Sequence, residues 1–122
     1  MMRGFKSRDT APEMAVRRVA HRMGYRFRLH RKDLPGKPDL VFPSRRKVVF
    51  VHGCFWHSHG CKLTRRPRLN LEYWLPKLQG NRDRDARHVA ELGSAGWKCL
   101  IFWECEVGSA GAIRRRLRSF LA

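Results

Sequence analysis

The chain has 122 residues, enough for one domain with a modest core (1–122), and its hydrophobic content of 43% is that of an ordinary globular protein. No apolar run approaches the roughly 20 residues needed to cross a membrane, and the first residues lack the apolar block of a signal peptide, so a cytoplasmic protein is expected. Lys and Arg number 27 against 10 acidic residues, a formal net charge of +17 spread along the whole chain, which points to nucleic acid bound on a folded basic surface.

Thr10-Ala11-Pro12-Glu13 opens the first helix as a capping box, Val16, Val19, Ala20 and Met23 follow at helical spacing, and Gly24 stops it. Tyr25, Phe27 and Leu29 then alternate with Arg26, Arg28 and His30, the pattern of a strand with one solvated basic face. A polar loop ends in Pro35-Gly36-Lys37-Pro38, and Asp39-Leu40-Val41-Phe42 forms a short strand. Pro43-Ser44-Arg45-Arg46 turns the chain into Lys47-Val48-Val49-Phe50-Val51, an apolar run fitted to a strand buried on both faces. Residues 53–67 carry no period. Helical spacing returns over 71–79 and again from Ala86 to Gly93, residues 98–103 form a last buried strand, and Ile113, Leu117, Phe120 and Leu121 mark a closing amphipathic helix. The order α-β-β-β-α-α-β-α predicts an α/β domain, a mixed sheet flanked by helices.

With no export signal, the four cysteines are better read as metal ligands or buried thiols than as disulfides. Cys54, His59 and Cys61 lie in the aperiodic stretch and Cys105 follows the last strand. Three thiolates and an imidazole suit a structural, tetrahedral Zn2+, which would also hold a long irregular loop. His57 competes with His59 for the fourth place, and spacing does not rank them. Cys99, inside an apolar strand, is expected in the core.

Pro38-Asp39 on one strand, followed by the strand ending at His52, resembles the restriction-endonuclease-like nuclease core, where an aspartate holds Mg2+ against the scissile phosphate. Mg2+ requires hard oxygen ligands of this kind. Longer strings are more specific: His30-Arg31-Lys32-Asp33-Leu34-Pro35-Gly36-Lys37-Pro38-Asp39-Leu40, then Phe50-Val51-His52-Gly53-Cys54-Phe55-Trp56-His57, then Gly80-Asn81-Arg82-Asp83-Arg84-Asp85, and Trp103-Glu104-Cys105. Together, from about residue 8 to residue 105, they resemble the very-short-patch-repair (Vsr) endonuclease family. That family recognises a T·G mispair in double-stranded DNA and nicks the strand carrying the T.

The resemblance implies that Asp39 and the backbone carbonyl of Val51 bind the catalytic Mg2+. It makes His57 the water-activating base and His52 a phosphate-side helper, while the slots that hold Glu and Lys in the wider nuclease pattern carry Phe50 and His52, so direct acidic ligation falls on Asp39; this leaves His59 for zinc. Glu13 would contact the metal's water shell, against its plainer reading as capping-box partner. Asp85 matches another family position near the site, against a place on solvated helix surface. Phe55, Trp56 and Trp74 would push into the base stack beside the mispair, where unstacking is least costly. Fewer than ten residues precede the Arg8-Asp9-Thr10 match, where family members can carry a longer DNA-clamping arm, so looser binding is expected; Arg114-Arg115-Arg116 and Arg118 could supply phosphate contacts. The enzyme is expected to act as a monomer. Two competing readings are a nuclease of the same core with another DNA specificity, and a non-catalytic, zinc-bearing nucleic-acid-binding module. Asp39 together with His57 argues for catalysis.

Overall fold

In the computed structural model, which describes residues 10–53 and 71–122, the helical and alternating apolar patterns become three helices packed on a four-stranded sheet. Helix α1 (Ala11–Arg22) begins at Thr10, whose hydroxyl accepts the Glu13 N–H at 3.4 Å, and Pro12 sits in the first turn, where its missing N–H costs nothing. Strands β1 (Arg28–Leu29), β2 (Leu40–Phe42) and β3 (Lys47–His52) follow, then helix α2 (Leu71–Ser94), strand β4 (Lys98–Trp103) and helix α3 (Ala110–Leu121), whose N-cap is Ser109. The sheet order is β1-β2-β3-β4. The first two pairings are antiparallel and β3 pairs with β4 in parallel, with His52 opposite Trp103.

Strand β3 is buried on both faces, as its apolar run requires. On one face Leu40, Phe42, Val49 and Phe102 pack against Val16, Val19 and Ala20 of α1 and Ile113, Leu117 and Leu121 of α3. On the other, Val41, Val48 and Phe50 pack against Leu92 of α2 and Trp97. Each such side chain stabilises the fold by about 1.5–3 kcal/mol through removal from water. Cys99 is partly buried on the α2 face, and burial pushes its thiol pKa up, as a core position implies.

Two expectations are corrected. The segments 71–79 and 86–93 form one helix of 24 residues, with Pro76 and Gly80 inside it. Pro76 forfeits one intrahelical hydrogen bond and crowds the carbonyl one turn back at a cost of about 3 kcal/mol, and a glycine costs about 1 kcal/mol, so the helix continues because tertiary packing outweighs both. Strand β1 is two residues long, beginning only at Arg28 and ending at Leu29, where His30 turns into a left-handed conformation (φ 50). Tyr25 and Phe27 still face inward, edge-on or tilted against the ring of Phe42.

Part of the positive charge serves the fold itself. Arg45 donates to the carbonyl of Leu121 at 2.9 Å and Lys47 to that of Phe120 at 2.5 Å, two unsatisfied acceptors at the C-terminus of α3. Arg46 donates to the Ala95 carbonyl at 2.8 Å and stacks over Trp97. Arg116 bonds Glu106 and the Ile101 carbonyl and lies over Phe102, so of the basic cluster on α3 it is Arg114, Arg115 and Arg118 that remain exposed.

Candidate active site

The parallel pair β3–β4 ends at His52 and Trp103, and the antiparallel β2 begins at that same end of the sheet. Asp39, immediately before β2, therefore lies beside Val51, whose N–H donates to its Oδ2 at 2.6 Å. Helix α1 brings Glu13 to the same place from one face. Helix α2 closes the other face with Arg84, Asp85, His88 and Val89, leaving a cavity of about 290 Å3 that these residues line together with Gly36, Lys37, Asp39, Phe50, Val51 and His52.

The loop before Asp39 is fixed at several points. Leu34-Pro35-Gly36-Lys37 makes a turn closed by the Lys37 N–H on the Leu34 carbonyl at 3.2 Å, with Gly36 at φ 77. Proline at the second and glycine at the third position are what a type II turn demands. Glycine is required there for a second reason: a Cβ would lie 3.0 Å from the Cβ and Nδ1 of His88, so the turn seats directly on α2. Arg31 pairs with Asp33 on the exposed loop surface and lies over the Trp97 ring.

Glu13 is 1% exposed, its carboxylate turned inward to the ring of His30, with Nε2 at 2.6 Å from Oε2 and Arg17 at 3.6 Å from the same oxygen. One ligand atom from each of Glu13, His30 and Asp39 lies within 4.8 Å of the others, an arrangement able to hold a metal ion. Burial pushes the Asp39 pKa up to about 7; the Val51 N–H opposes the shift, while the charge of Glu13 and a hydrogen bond with its carboxyl add to it. Two carboxyls in one poorly hydrated place cannot both ionise at low cost without a cation.

Of the residues predicted from sequence, the structure brings Glu13, Asp39, Val51, His52 and Asp85 to one site. His52 is 8% exposed, between the rings of Phe50 and Trp103. Asp85 lines the cavity and is half-buried, so solvated helix surface does not describe it. Cys105 is exposed on a short 3-10 turn after β4, and Trp74 sits in the first turns of α2. Cys54, Phe55, Trp56, His57, His59 and Cys61 lie outside the described residues, as does the side chain of Trp74. Sequence reasoning missed His30, Lys37, Arg84 and His88. His30 was assigned to the solvated face of β1, and only its left-handed backbone, invisible to a period of two, turns the ring toward α1.

The catalytic domain of homing endonuclease I-Bth0305I superposes with a TM-score of 0.63, covering 92% of this chain and 94% of that one at 17% identity, so the two share one α/β fold. Residues 1–63 match the sequence profile of the family described as DNA mismatch endonuclease Vsr. A type II nicking enzyme of Xanthomonas oryzae pv. oryzae, V.XorIIP, is 54% identical over 121 residues, 99% of this chain and 89% of its own length. The DNA mismatch endonuclease Vsr of Escherichia coli K12 is 43% identical over 104 residues, 85% of this chain and 67% of its own length. The chain belongs to the Vsr family of DNA mismatch endonucleases. It is a DNA endonuclease, which sets aside a non-catalytic binding module.

The raised pKa of Asp39 has a consequence for stability. A carboxyl whose folded pKa exceeds its unfolded value binds its proton more tightly when folded, so stability falls as pH rises between about 4 and about 7. The charged and titratable groups around Asp39 are Glu13 and His30 on one side and Lys37, His52, Arg84, Asp85 and His88 across the cavity. In EDTA, thermal unfolding midpoints of the wild type are expected to drop relative to Asp39→Asn across that window, leaving the variant the more stable protein near pH 7. Parallel profiles for the two proteins would contradict the assignment.

Proposed function

We propose that this chain is a Mg2+-dependent nickase that cuts the T-containing strand beside a T·G mispair in double-stranded DNA. The observation that carries the proposal is Asp39, which lines the cavity at the end of the sheet, accepts the Val51 N–H and has the buried Glu13 carboxylate behind it. The donor set fits Mg2+: two carboxylates offer hard oxygens, and Asp39, whose pKa is raised by burial first and by the neighbouring Glu13 second, is a carboxyl that a cation would help to ionise. Asp39, the Val51 carbonyl and Glu13 would hold the ion, which when bound polarises a phosphoryl oxygen of the substrate.

The remaining chemistry falls to this chain's side chains. His57 accepts a proton from the attacking water, whose oxygen forms a bond to phosphorus as the phosphorus–oxygen bond to the leaving sugar breaks. An imidazole suits that transfer, since its ordinary pKa of about 6.5 lets it move a proton near neutrality. His52 approaches from the phosphate side, and Lys37 and Arg84 on the cavity rim offset the charge of the DNA backbone. Such contacts attract any duplex. Discrimination is assigned to Phe55, Trp56 and Trp74, whose rings enter the stack most cheaply where pairing is already defective.

A structural zinc ion is part of the same proposal. The pairing of His52 with Trp103 supports it: Cys54 follows the end of β3 by two residues in the sequence and Cys105 follows the end of β4 by two, on adjacent parallel strands. Cys105 is exposed at that end, and the proposal has it share the metal with Cys54, His59 and Cys61. A monomer acting on DNA in the cytoplasm completes the reading; among the described residues no helix is long and apolar enough to cross a membrane.

Wild-type protein is expected to nick a labelled T·G duplex in Mg2+ and to leave the matched C·G duplex intact. Asp39→Ala should abolish nicking while keeping mismatch binding in EDTA. Trp56→Ala should weaken T·G cleavage by about 1–3 kcal/mol, the usual loss for one base–aromatic contact, with nonspecific binding at the same salt little changed. Equal nicking of both duplexes by the wild type would replace mismatch specificity with that of a general nuclease.

Elemental analysis should find about one zinc per chain, lost together with folding in Cys54→Ser or Cys105→Ser and retained in Cys99→Ser and His57→Ala. A folded, zinc-free native protein would remove the staple, and loss of zinc from His57→Ala with retention in His59→Ala would exchange the two histidines.

A further inference from the structure

His30 is the residue at which the two carboxyl-bearing segments are tied together. Its ring Nε2 meets Glu13 Oε2 at 2.6 Å, while its backbone N–H donates to the carbonyl of Asp39 at 3.3 Å. One residue thus holds the side chain that α1 delivers and the main chain from which Asp39 projects. It does so in a left-handed conformation, φ 50, which is uncommon and strained for a residue with a Cβ. Strain of this kind persists where the surroundings over-determine it, and here they do: extended backbone at residue 30 would continue the β1 alternation and carry the ring away from Glu13.

The contact is also sheltered. The Glu13 side chain is 2% exposed and that of His30 18%. The Glu13 carboxyl shares a hydrogen bond with that of Asp39, and the His30 ring meets its Oε2, so the ring and Asp39 together set where it points. Arg17 lies one helical turn along α1 and approaches the same Glu13 oxygen at 3.6 Å, a longer contact than the 2.6 Å from the His30 ring.

We infer that His30 is a positioning residue of the endonuclease site, fixing the Glu13 carboxylate beside Asp39 so that both face one divalent cation. This rests on the reading of Asp39 as the metal-binding carboxylate. The role asked of the side chain is a single N–H aimed at Glu13 Oε2, which the amide of glutamine can also supply, whereas leucine of similar bulk cannot.

The test compares full-length wild type, His30→Gln, His30→Leu and Asp39→Ala by four measurements. These are nicking of a T·G duplex in Mg2+, binding of Mn2+ alone followed by electron paramagnetic resonance, DNA affinity in EDTA, and the unfolding midpoint in EDTA. His30→Leu should lose roughly 10- to 100-fold in nicking and at least several-fold in Mn2+ affinity, the range found when a group orienting a metal ligand is removed. Its DNA affinity should stay near that of the wild type, and His30→Gln should restore most of both losses. The inference is overturned if His30→Leu nicks and binds Mn2+ like the wild type. It is equally overturned if His30→Gln fails as fully as His30→Leu while staying folded, which would make the imidazole itself the ligand. Should both variants unfold, equal Mn2+ affinities of wild type and Glu13→Gln would overturn it, and a several-fold loss in Glu13→Gln would uphold it. If Asp39→Ala keeps wild-type nicking, the metal reading of Asp39 fails and the inference falls with it; if Asp39→Ala is inactive, only the His30 variants decide.

Discussion

The structure around the cavity depends on the enforced proximity of two carboxyl groups, Glu13 and Asp39. Neither has a local reason to be there. Glu13 sits in the first turn of α1, where a carboxylate is stabilised by the helix dipole but would normally face water, and instead it is buried. Asp39 stands at the start of a strand whose next three residues are buried core. Burial raises the pKa of Asp39 to about 7, with the charge and hydrogen bond of Glu13 adding to it, so ionising the metal-free site is a cost to the fold. Everything nearby holds that arrangement against its repulsion: the Val51 N–H on Asp39, the His30 ring on Glu13, the Pro-Gly turn seated on His88, and the two hydrophobic layers that fix α1 and the sheet.

The layers explain why the site sits at the end of the sheet. A crossover through α2 makes β3 and β4 parallel, so their last residues leave the sheet together at His52 and Trp103. β2 runs the other way and begins at that end with Asp39. Helix α1 covers one face and α2 the other, and their polar residues converge just past the last buried pair. The charge of the chain divides accordingly. Arg45, Arg46, Lys47 and Arg116 satisfy carbonyls and stack on rings, whereas Lys37 and Arg84 reach the cavity and Arg114, Arg115 and Arg118 remain for solvent or phosphate.

Much of this was legible in the sequence, and the exceptions have physical causes. The helices and strands announced themselves because each buries a single stripe or both faces, and burial leaves a period. The sequence pattern divides helix α2 because Pro76 and Gly80 weaken the local signal, yet packing through Leu78 and Leu92 outweighs their propensity cost. Asp39 was legible through a long motif, while Glu13 was ambiguous because one residue can satisfy a capping pattern and a buried site alike. His30 was not legible as a site residue, since alternation placed it with Arg26 and Arg28 and a single positive φ is not encoded by hydrophobic pattern. The same blindness applies to Arg84 and His88, which look like any solvated helix residues until the turn at Gly36 is seen to close over them.

The central claim is that the Glu13–Asp39 pair is kept together to receive a divalent cation. The most direct measurement is proton release on adding Mg2+ to the wild-type protein in a weakly buffered solution near pH 6, below the raised pKa of Asp39. A cation taken up by this pair must displace the proton that Asp39 retains, so release approaching about one proton per bound Mg2+ is expected, and Asp39→Asn should release none. Saturating Mg2+ uptake by the wild type without proton release, or equal release from Asp39→Asn, would contradict the account.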